Sequence, residues 1–331
     1  MKKILGFYAF WTVMMLFVPF LVVRGWVGNN TRVQSVTEEG EAQSFVVKVL
    51  ISENQVAEMP LKEYLCGVVA GEMPPTYHKE ALKAQAVASN TYMLYRMEAM
   101  TENPELYPGH NGAYVCTDYR HCKAFLSKEQ AKQKWGENWF NTHYYLIENA
   151  VDEVLGKAIF YNETPINAVF HSMSAGTTAN AREVWGSDIP YLVNVDSSFD
   201  AQEKDYISTL DCDKQSFIEK LSGYDDEIEF SSDIKEWVKE TVNTPSGYVE
   251  NITICNKTYK GTQIREIFGL RSASFTLSEE DGGFSFTVKG YGHGVGMSQT
   301  GANYLAGEGK NYTEILQYYY KDTTIRDHPG E

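Results

Sequence analysis

Leu61-Lys62-Glu63-Tyr64-Leu65-Cys66-Gly67-Val68-Val69-Ala70-Gly71-Glu72-Met73-Pro74 is the stretch on which the reading of this chain turns. Leu61, Leu65, Val68 and Glu72 recur at helical spacing, so they share one face. Pro60 suits a first helical turn, and Pro74-Pro75 stops the helix, since proline lacks an N–H and restrains the residue before it. Residues 60–72 are therefore expected to form a helix whose apolar face ends in a carboxylic acid. Burial and a helix C-terminus both disfavour the charged form of a carboxyl group. A proton-holding Glu in such a place suits general acid chemistry. A second, longer helix is expected from about Lys79 to Met100, where Glu80-Ala81-Leu82-Lys83-Ala84-Gln85-Ala86 is a run of good helix formers. Lys83 and Gln85 are expected to point from it toward Glu72.

Upstream, Ser44-Phe45-Val46-Val47-Lys48-Val49-Leu50 is a β-branched run that reads as a strand and opens the folded part. Residues 25–44, rich in Asn, Thr, Ser, Gln, Glu and Gly, read as a linker. Met1-Lys2-Lys3 precedes an uncharged stretch from Ile4 to Val23, closed by Arg24. About 20 apolar residues span a bilayer core, whereas a secretory signal is shorter and ends in a small-residue cleavage site. No Ala-x-Ala pattern follows here. Residues 4–24 are thus expected to be an uncleaved transmembrane anchor, with 1–3 a cytoplasmic tip oriented by Lys2 and Lys3. Residues 45–331 would then lie outside the membrane.

Downstream of the second helix, residues 101–141 lose periodicity. Pro104, Pro108-Gly109 and Asn111-Gly112 mark turns, and the stretch reads as an insertion. Strands are expected at Ala158–Phe160, Ile166–Phe170, Val249–Ile254 and Phe284–Val288. Residues 202–224 and 232–243 look helical, and a last helix should begin near Asn303 or Tyr312. Helices and strands mix without regular alternation, so the expected class is α+β. The whole is expected to be a single N-terminal transmembrane helix followed by a two-lobed extracytoplasmic region with a central cleft. A net charge of −15 argues against a nucleic-acid partner, which would need clustered Lys and Arg.

The five cysteines are 66, 116, 122, 212 and 255, an odd count that leaves at least one unpaired. His110, Cys116, His121 and Cys122 crowd into the insertion. Two imidazoles and two thiolates make a closed tetrahedral zinc set, and a loop poor in core has use for such a staple. The spacing is not that of a familiar zinc finger, and the adjacency of His121 and Cys122 demands a sharp local turn. A Cys116–Cys122 disulfide beside two ordinary histidines is the rival reading.

His171, Ser172 and Ser174 follow an apolar strand, but the Gly-x-Ser-x-Gly pattern of a serine hydrolase is absent. Gly290 to Gly301 is glycine-rich without the Gly-Lys-Ser/Thr ending of a phosphate loop. It reads either as tight-turn packing or as a wall approached closely by ligand, with His293 and Gln299 supplying hydrogen bonds.

Three stretches, taken together and in order, resemble the stage II sporulation protein D family of lytic transglycosylases. The first is the opening stretch with 80–88. The second runs from Phe170-His171-Ser172-Met173-Ser174-Ala175-Gly176-Thr177-Thr178 to Val184-Trp185-Gly186. The third is Gly290-Tyr291-Gly292-His293-Gly294-Val295-Gly296-Met297-Ser298-Gln299-Thr300-Gly301-Ala302. The resemblance implies cleavage of the β-1,4 bond between N-acetylmuramic acid and N-acetylglucosamine, leaving a 1,6-anhydro ring, with Glu72 as acid and then base. It also implies structural zinc at His110, Cys116, His121 and Cys122, as in a subset of the family. Engulfment in a spore-forming bacterium, at the mother cell's engulfing membrane, is implied too. So are peptide-stripped glycan strands as substrate, with stage II sporulation proteins P and M as partners. Two positions depart from the family pattern. Asn90 stands in Ser89-Asn90-Thr91-Tyr92 where the family has an Arg thought to contact substrate, and Ala175 replaces a Gly. That departure favours the alternative of a non-catalytic glycan-binding scaffold that positions cell wall for a partner amidase.

Overall fold

The computed structural model describes residues 45–328. Strands β1 (Val46–Ser52) and β2 (Gln55–Pro60) form an antiparallel hairpin, with Val47 opposite Met59 and Val49 opposite Ala57. Alternation turns Val47 and Val49 into the core. The short β3 (Val115–Cys116) adds to β1 in parallel, fixing the start of the insertion against the sheet.

Helix α1 (Leu61–Glu72) begins directly after β2, with Pro60 at the cap. It ends where Met73 turns extended ahead of Pro74. Helix α2 (Lys79–Glu102) is buried almost all round. Ala81, Ala84, Ala86 and Ala88 keep its surface thin, which lets α1, later helices and strand β4 pack against it from several sides. Asn103 then leaves the helical range, one residue before Pro104.

The insertion is less loop-like than its sequence. Helices α3 (Lys128–Trp135) and α4 (Glu137–Asp152) occupy its second half, beyond Ser127. Ser127 and Gln130 form a reciprocal capping box that starts α3. Gly136, at φ 81°, separates the two helices.

Strands β4 (Lys157–Tyr161) and β5 (Thr164–Pro165) follow, and then β6, which is only Phe170–His171. A short helix α5 (Ala181–Trp185) comes next. The chain then builds a second hydrophobic core of its own from β7 (Ile207–Asp213), α6 (Lys214–Tyr224), β8 (Val238–Asn243), β9 (Val249–Ile254), β10 (Lys257–Lys260), α7 (Gly261–Phe268), β11 (Phe275–Glu280) and β12 (Gly283–Lys289). Phe217, Trp237, Phe284 and Phe286 fill it. The sequence reading of 202–224 as helical holds for Lys214–Tyr224 but is corrected for 207–213, and that of 232–243 is corrected for 238–243. Residues 207–213 pair with β12 and 238–243 pair with β9, so sheet partners override local helix preference. Asp213, whose side chain accepts from the Ser216 N–H, marks the switch from strand to helix.

The chain then returns to the first core. Strand β13 (Met297–Ser298) pairs in parallel with β6, setting Met297 beside Phe170 and Ser298 beside His171. Helices α8 (Gln299–Gly307) and α9 (Tyr312–Tyr319) and strand β14 (Thr324–Asp327) finish the fold, so both proposed starts of a last helix are occupied.

The fold class is α+β, but the expected architecture of a transmembrane helix leading into it is corrected. Among the described residues no helix is long and apolar enough to cross a membrane. The longest, α2, has the length but carries Lys79, Glu80, Lys83, Arg96, Glu98 and Glu102. Residues 4–24 and the linker 25–44 lie outside the described residues.

Asp200 ties the second and third motifs together. It is buried, and its carboxylate accepts from the Ser174 N–H at 2.8 Å, Ser298 Oγ at 2.7 Å and Thr300 Oγ1 at 3.0 Å, with Ser197 Oγ adding a fourth donor. Burial raises its carboxyl above the usual range, and these donors pull it back.

Candidate functional site

Glu72 sits at the last turn of α1, half-buried rather than sealed in an apolar pocket. Each of its oxygens takes a donor. The Ala124 N–H donates to Oε1 at 2.7 Å, and Gln299 Nε2 donates to Oε2 at 3.3 Å. Gln299 Nε2 also reaches Gln85 Oε1 at 3.2 Å, and Gln85 in turn donates to Ser89 Oγ at 3.1 Å. The first stretch, the insertion and the third stretch therefore meet at one carboxyl group.

The close approach of the insertion depends on two glycines one turn apart. Leu126 N–H donates to the Gly67 carbonyl at 2.9 Å, and residues 124–126 lie flat against α1. A Cβ on Gly71 would stand 2.7 Å from the Ala124 carbonyl carbon, which is backbone and cannot swing aside. Gly71→Ala is expected to push this segment off the helix and cost about 1–3 kcal/mol, the usual range for overpacking. It should also slow any Glu72-dependent reaction, since the Ala124 donor moves with the segment. Melting temperature and turnover measured on the same preparation check this.

Lys123, between the Cys122 and Ala124 positions, points inward. It is 8% exposed, its Nζ lies 4.3 Å from the centroid of the Tyr92 ring and 3.8 Å from that of Phe170, and the Glu72 charge bears on it. Burial pulls its ammonium down to about 8, with Glu72 and Cys122 acting the other way.

His171 and His293 lie side by side, ring centroids 5.6 Å apart, with Trp185 5.5 Å beyond His293. His171 Nδ1 faces the Val295 carbonyl at 3.1 Å, so Nδ1 carries the hydrogen, and buried Nε2 has no partner among the described residues. His293 Nδ1 accepts from the Val295 N–H at 3.1 Å. Burial lowers both, His171 to about 4 and His293 well below the ordinary imidazole value. Because folded His171 titrates below the ordinary 6.5, the unfolded chain takes the proton first as pH falls. The stability present above pH 6.5 is then lost toward pH 4, a loss of ~3 kcal/mol from this one group. Urea unfolding of wild type and His171→Asn across that window is expected to show a shallower acid loss in the variant.

The four metal-type residues converge. Their ligand atoms all lie within 4.8 Å of one another, and His110, Cys116 and Cys122 are buried. His121 Nδ1 is 2.8 Å from His110 Nε2, 3.6 Å from Cys116 Sγ and 3.7 Å from Cys122 Sγ. His110 Nδ1 faces the Ala113 carbonyl at 3.1 Å, which leaves Nε2 bare toward the cluster. Hydrogen bonding from the Cys116 thiol pulls Cys122 down and leaves Cys116 raised. All five cysteines are free thiols, so the Cys116–Cys122 bridge does not form here. Zinc draws ligands to about 2.0–2.3 Å from a common centre, and this donor set fits it. A cavity of about 610 Å³ opens beside the cluster, lined by Tyr107, His110, Cys116 and His121 and not by Glu72.

A family profile described as "Stage II sporulation protein" matches residues 51–161. Stage II sporulation protein D of Bacillus subtilis (strain 168) is 37% identical over 95% of this chain and 93% of its own length. The protein of the same name from Bacillus amyloliquefaciens is 39% identical over 83% of this chain and 77% of its own. The chain belongs to the stage II sporulation protein D family. An "Amidase enhancer" of Bacillus subtilis (strain 168) is 26% identical over 79% of this chain but only 40% of its own length.

Within this family member, the other candidate residues divide. Gln85 and Gln299 lie in the Glu72 web, whereas His293 sits with His171 and Trp185, and half-buried Ser172 accepts through its carbonyl from the Thr300 N–H. Ser174 is buried behind the motif, its Oγ accepting from the Gly176 N–H. Lys83 turns away, pairing with Glu80 and Glu153 at 2.6 Å each. Asn90 is also turned away, donating to the Lys157 carbonyl at 2.9 Å in the interior. Sequence reasoning missed Lys123, Asp200 and Arg96. Arg96 is buried, its guanidinium 3.4 Å from the centroid of the Tyr107 ring and 3.5 Å from His110 Nδ1.

Proposed function

We propose that this chain is a peptidoglycan lytic transglycosylase that cuts the β-1,4 bond between N-acetylmuramic acid and N-acetylglucosamine during engulfment in sporulation. What carries the reading is Glu72, a half-exposed carboxyl group held by two donors where three separate stretches meet. Asp200, the carboxylate of the neighbouring web, is buried with four donors and is not free to act. Ordinary glycosidases use two carboxylates; one suffices when the sugar supplies the nucleophile. Glu72 gives its proton to the glycosidic oxygen as the C1–O bond breaks. The muramic acid 6-hydroxyl then bonds to C1 and returns its proton to Glu72. No water is added, and the enzyme ends as it began.

The substrate we propose is glycan from which the stem peptides have been removed, and the site of action lies outside the cytoplasmic membrane. Stage II sporulation proteins P and M are the proposed partners. Zinc at His110, Cys116, His121 and Cys122 would be structural, because four protein ligands leave no open position. When bound it would cross-link the insertion and hold Cys122, two residues from the Ala124 donor.

Digestion of purified peptide-stripped glycan should release fragments ending in 1,6-anhydromuramic acid, seen by mass spectrometry. Glycan binding without such ends would favour the scaffold alternative, and reducing ends formed by water would exclude the transglycosylase mechanism.

A further inference from the structure

Gln299 donates to Glu72 from the first residue of α8, and the residues on either side of it point elsewhere. Ser298 Oγ donates to Asp200 Oδ2 at 2.7 Å, and Thr300 Oγ1 donates to Asp200 Oδ1 at 3.0 Å. One carboxylate therefore holds both chain neighbours of Gln299, one on each oxygen. Successive side chains on extended backbone point to opposite sides. With Ser298, the last residue of β13, turned to Asp200, Gln299 is turned away from it. Glu72 and Gln85 lie on that other side. The Thr300 N–H adds a bond to the Ser172 carbonyl at 3.0 Å. Gly301 closes the turn: a Cβ there would collide with Tyr319 Oη and stand 2.8 Å from Ser197 Oγ, which itself donates to Asp200.

Asp200 is 1% exposed, and among the described residues it has no ion-pair partner. A buried carboxylate without a cation is costly, and packing alone does not call for one. What it supplies is direction. An ionised carboxylate only accepts, so each hydroxyl around it must donate, and the backbone that carries those hydroxyls has one placement. Among the described residues Asp200 makes no bond to Glu72 or to the Gln299 side chain, so its influence on the site passes through Ser298 and Thr300. If Gln299 drifts, Glu72 keeps only the Ala124 N–H and its carboxyl can pivot about that single bond. A reacting group misplaced by about 1 Å can cost on the order of 10²-fold in rate.

We infer that Asp200 is a positioning residue for Glu72: through Ser298 and Thr300 it aims Gln299, and Gln299 holds the Glu72 carboxyl in its working orientation. The reaction served rests on the transglycosylase reading; the placement of Gln299 does not. Asp200 touches no reacting atom in this role, and its effect exists only while Gln299 is there to transmit it.

The test is a double-mutant cycle on the full chain, with release of anhydromuramic ends from peptide-stripped glycan as the rate. Asp200→Ala should lower kcat by about 10- to 100-fold and change KM by less than about 3-fold, since orientation and not binding is lost. In a Gln299→Leu background, where the link to Glu72 is already cut, adding Asp200→Ala should cost less than about 3-fold more. Asp200→Asn should stay within about 3-fold of wild type. Its amide oxygen can take the Ser174, Ser197 and Ser298 donors, and its NH₂ can donate to Thr300 Oγ1. If Asp200→Ala does not fold, Thr300→Val takes its place in the cycle, because it removes only one donor beside Gln299. The same fold-loss in both backgrounds overturns the assignment, since a residue that merely supports the fold acts whether or not Gln299 is present. A loss confined to KM overturns it as well. A wild-type protein that releases no anhydro ends defeats the transglycosylase reading instead, and the Gln299 side-chain amide then decides the positioning by itself. Followed by NMR and assigned by its absence in Gln299→Leu, its hydrogen exchange should quicken about 10-fold in Asp200→Ala or Thr300→Val. Unchanged exchange overturns the assignment whatever the activity.

Discussion

Glu72→Gln should lower release of anhydromuramic ends by about 10³-fold, within the range seen when a general acid–base is removed. It should do so with little change in stability. The amide keeps an oxygen that can accept from the Ala124 N–H, so the contact between α1 and the insertion survives. The other end would place an NH₂ against Gln299 Nε2, two donors facing each other. Gln299 can relieve this by turning its own oxygen to Glu72's replacement, at the expense of its bond to Gln85. The net loss is about one side-chain hydrogen bond, roughly 1 kcal/mol, or about 2–4 °C in a domain of this size. Mass spectrometry of glycan digests and a melting curve on the same protein decide the matter. Wild-type turnover in the variant would remove Glu72 from the reaction. A large drop in melting temperature would mean that the lost activity reflects unfolding.

How much of this was legible in the sequence depended on whether the signal was local. The helix from Leu61 to Glu72 was legible because its apolar spacing and its stop at Pro74 both lie within the stretch itself. The metal-type cluster was legible for the same reason: four soft ligands close in sequence stay close in space. The strand at 238–243 was not, because only its pairing with β9 makes it a strand. Asp200 gave no signal either. Its significance comes from Ser174, Ser298 and Thr300, which lie up to about a hundred residues away. Asn90 illustrates the opposite error. A motif position suggested substrate contact, but the central helix α2 is buried nearly all round, and at Asn90 it faces β4. Spacing along a helix tells which residues share a face, yet it does not tell which face a crowded interior leaves open. Lys123 was hidden by its neighbours, since in a turn-rich insertion a lone lysine reads as solvated. The two glycines at 67 and 71 carried the relevant signal: a helix with glycines one turn apart invites another backbone to lie on it.

That contact makes metal removal the other experiment with a large expected effect. Chelation, or Cys122→Ser, should unfold the first half of the insertion and abolish the proposed glycan cleavage together. Outside β3, the segment from Pro104 to Ser127 has little regular structure to hold it. Its thiols and imidazoles would be left as a cluster of competing hydrogen bonds without a common centre. Binding free energies of structural zinc run to about 10–16 kcal/mol in small domains. Here β3 and the α1 contact hold part of the segment already, so a loss of about 5 kcal/mol is expected, or roughly 10–20 °C in melting temperature. The loss of activity follows from geometry rather than from chemistry at the ion. Cys122, Lys123 and Ala124 are consecutive, so freeing the first loosens the backbone N–H of Ala124 that donates to Glu72. Metal content, melting temperature and anhydro-end release should fall together on chelation and return together on adding zinc. A purified chain that holds no zinc, melts at the same temperature with chelator and still cuts glycan would show that hydrogen bonds alone hold this loop. If the metal is lost and the fold kept but activity vanishes, the ion acts at Glu72 through the position of Ala124, and a restraint placed elsewhere in the loop should restore turnover without metal.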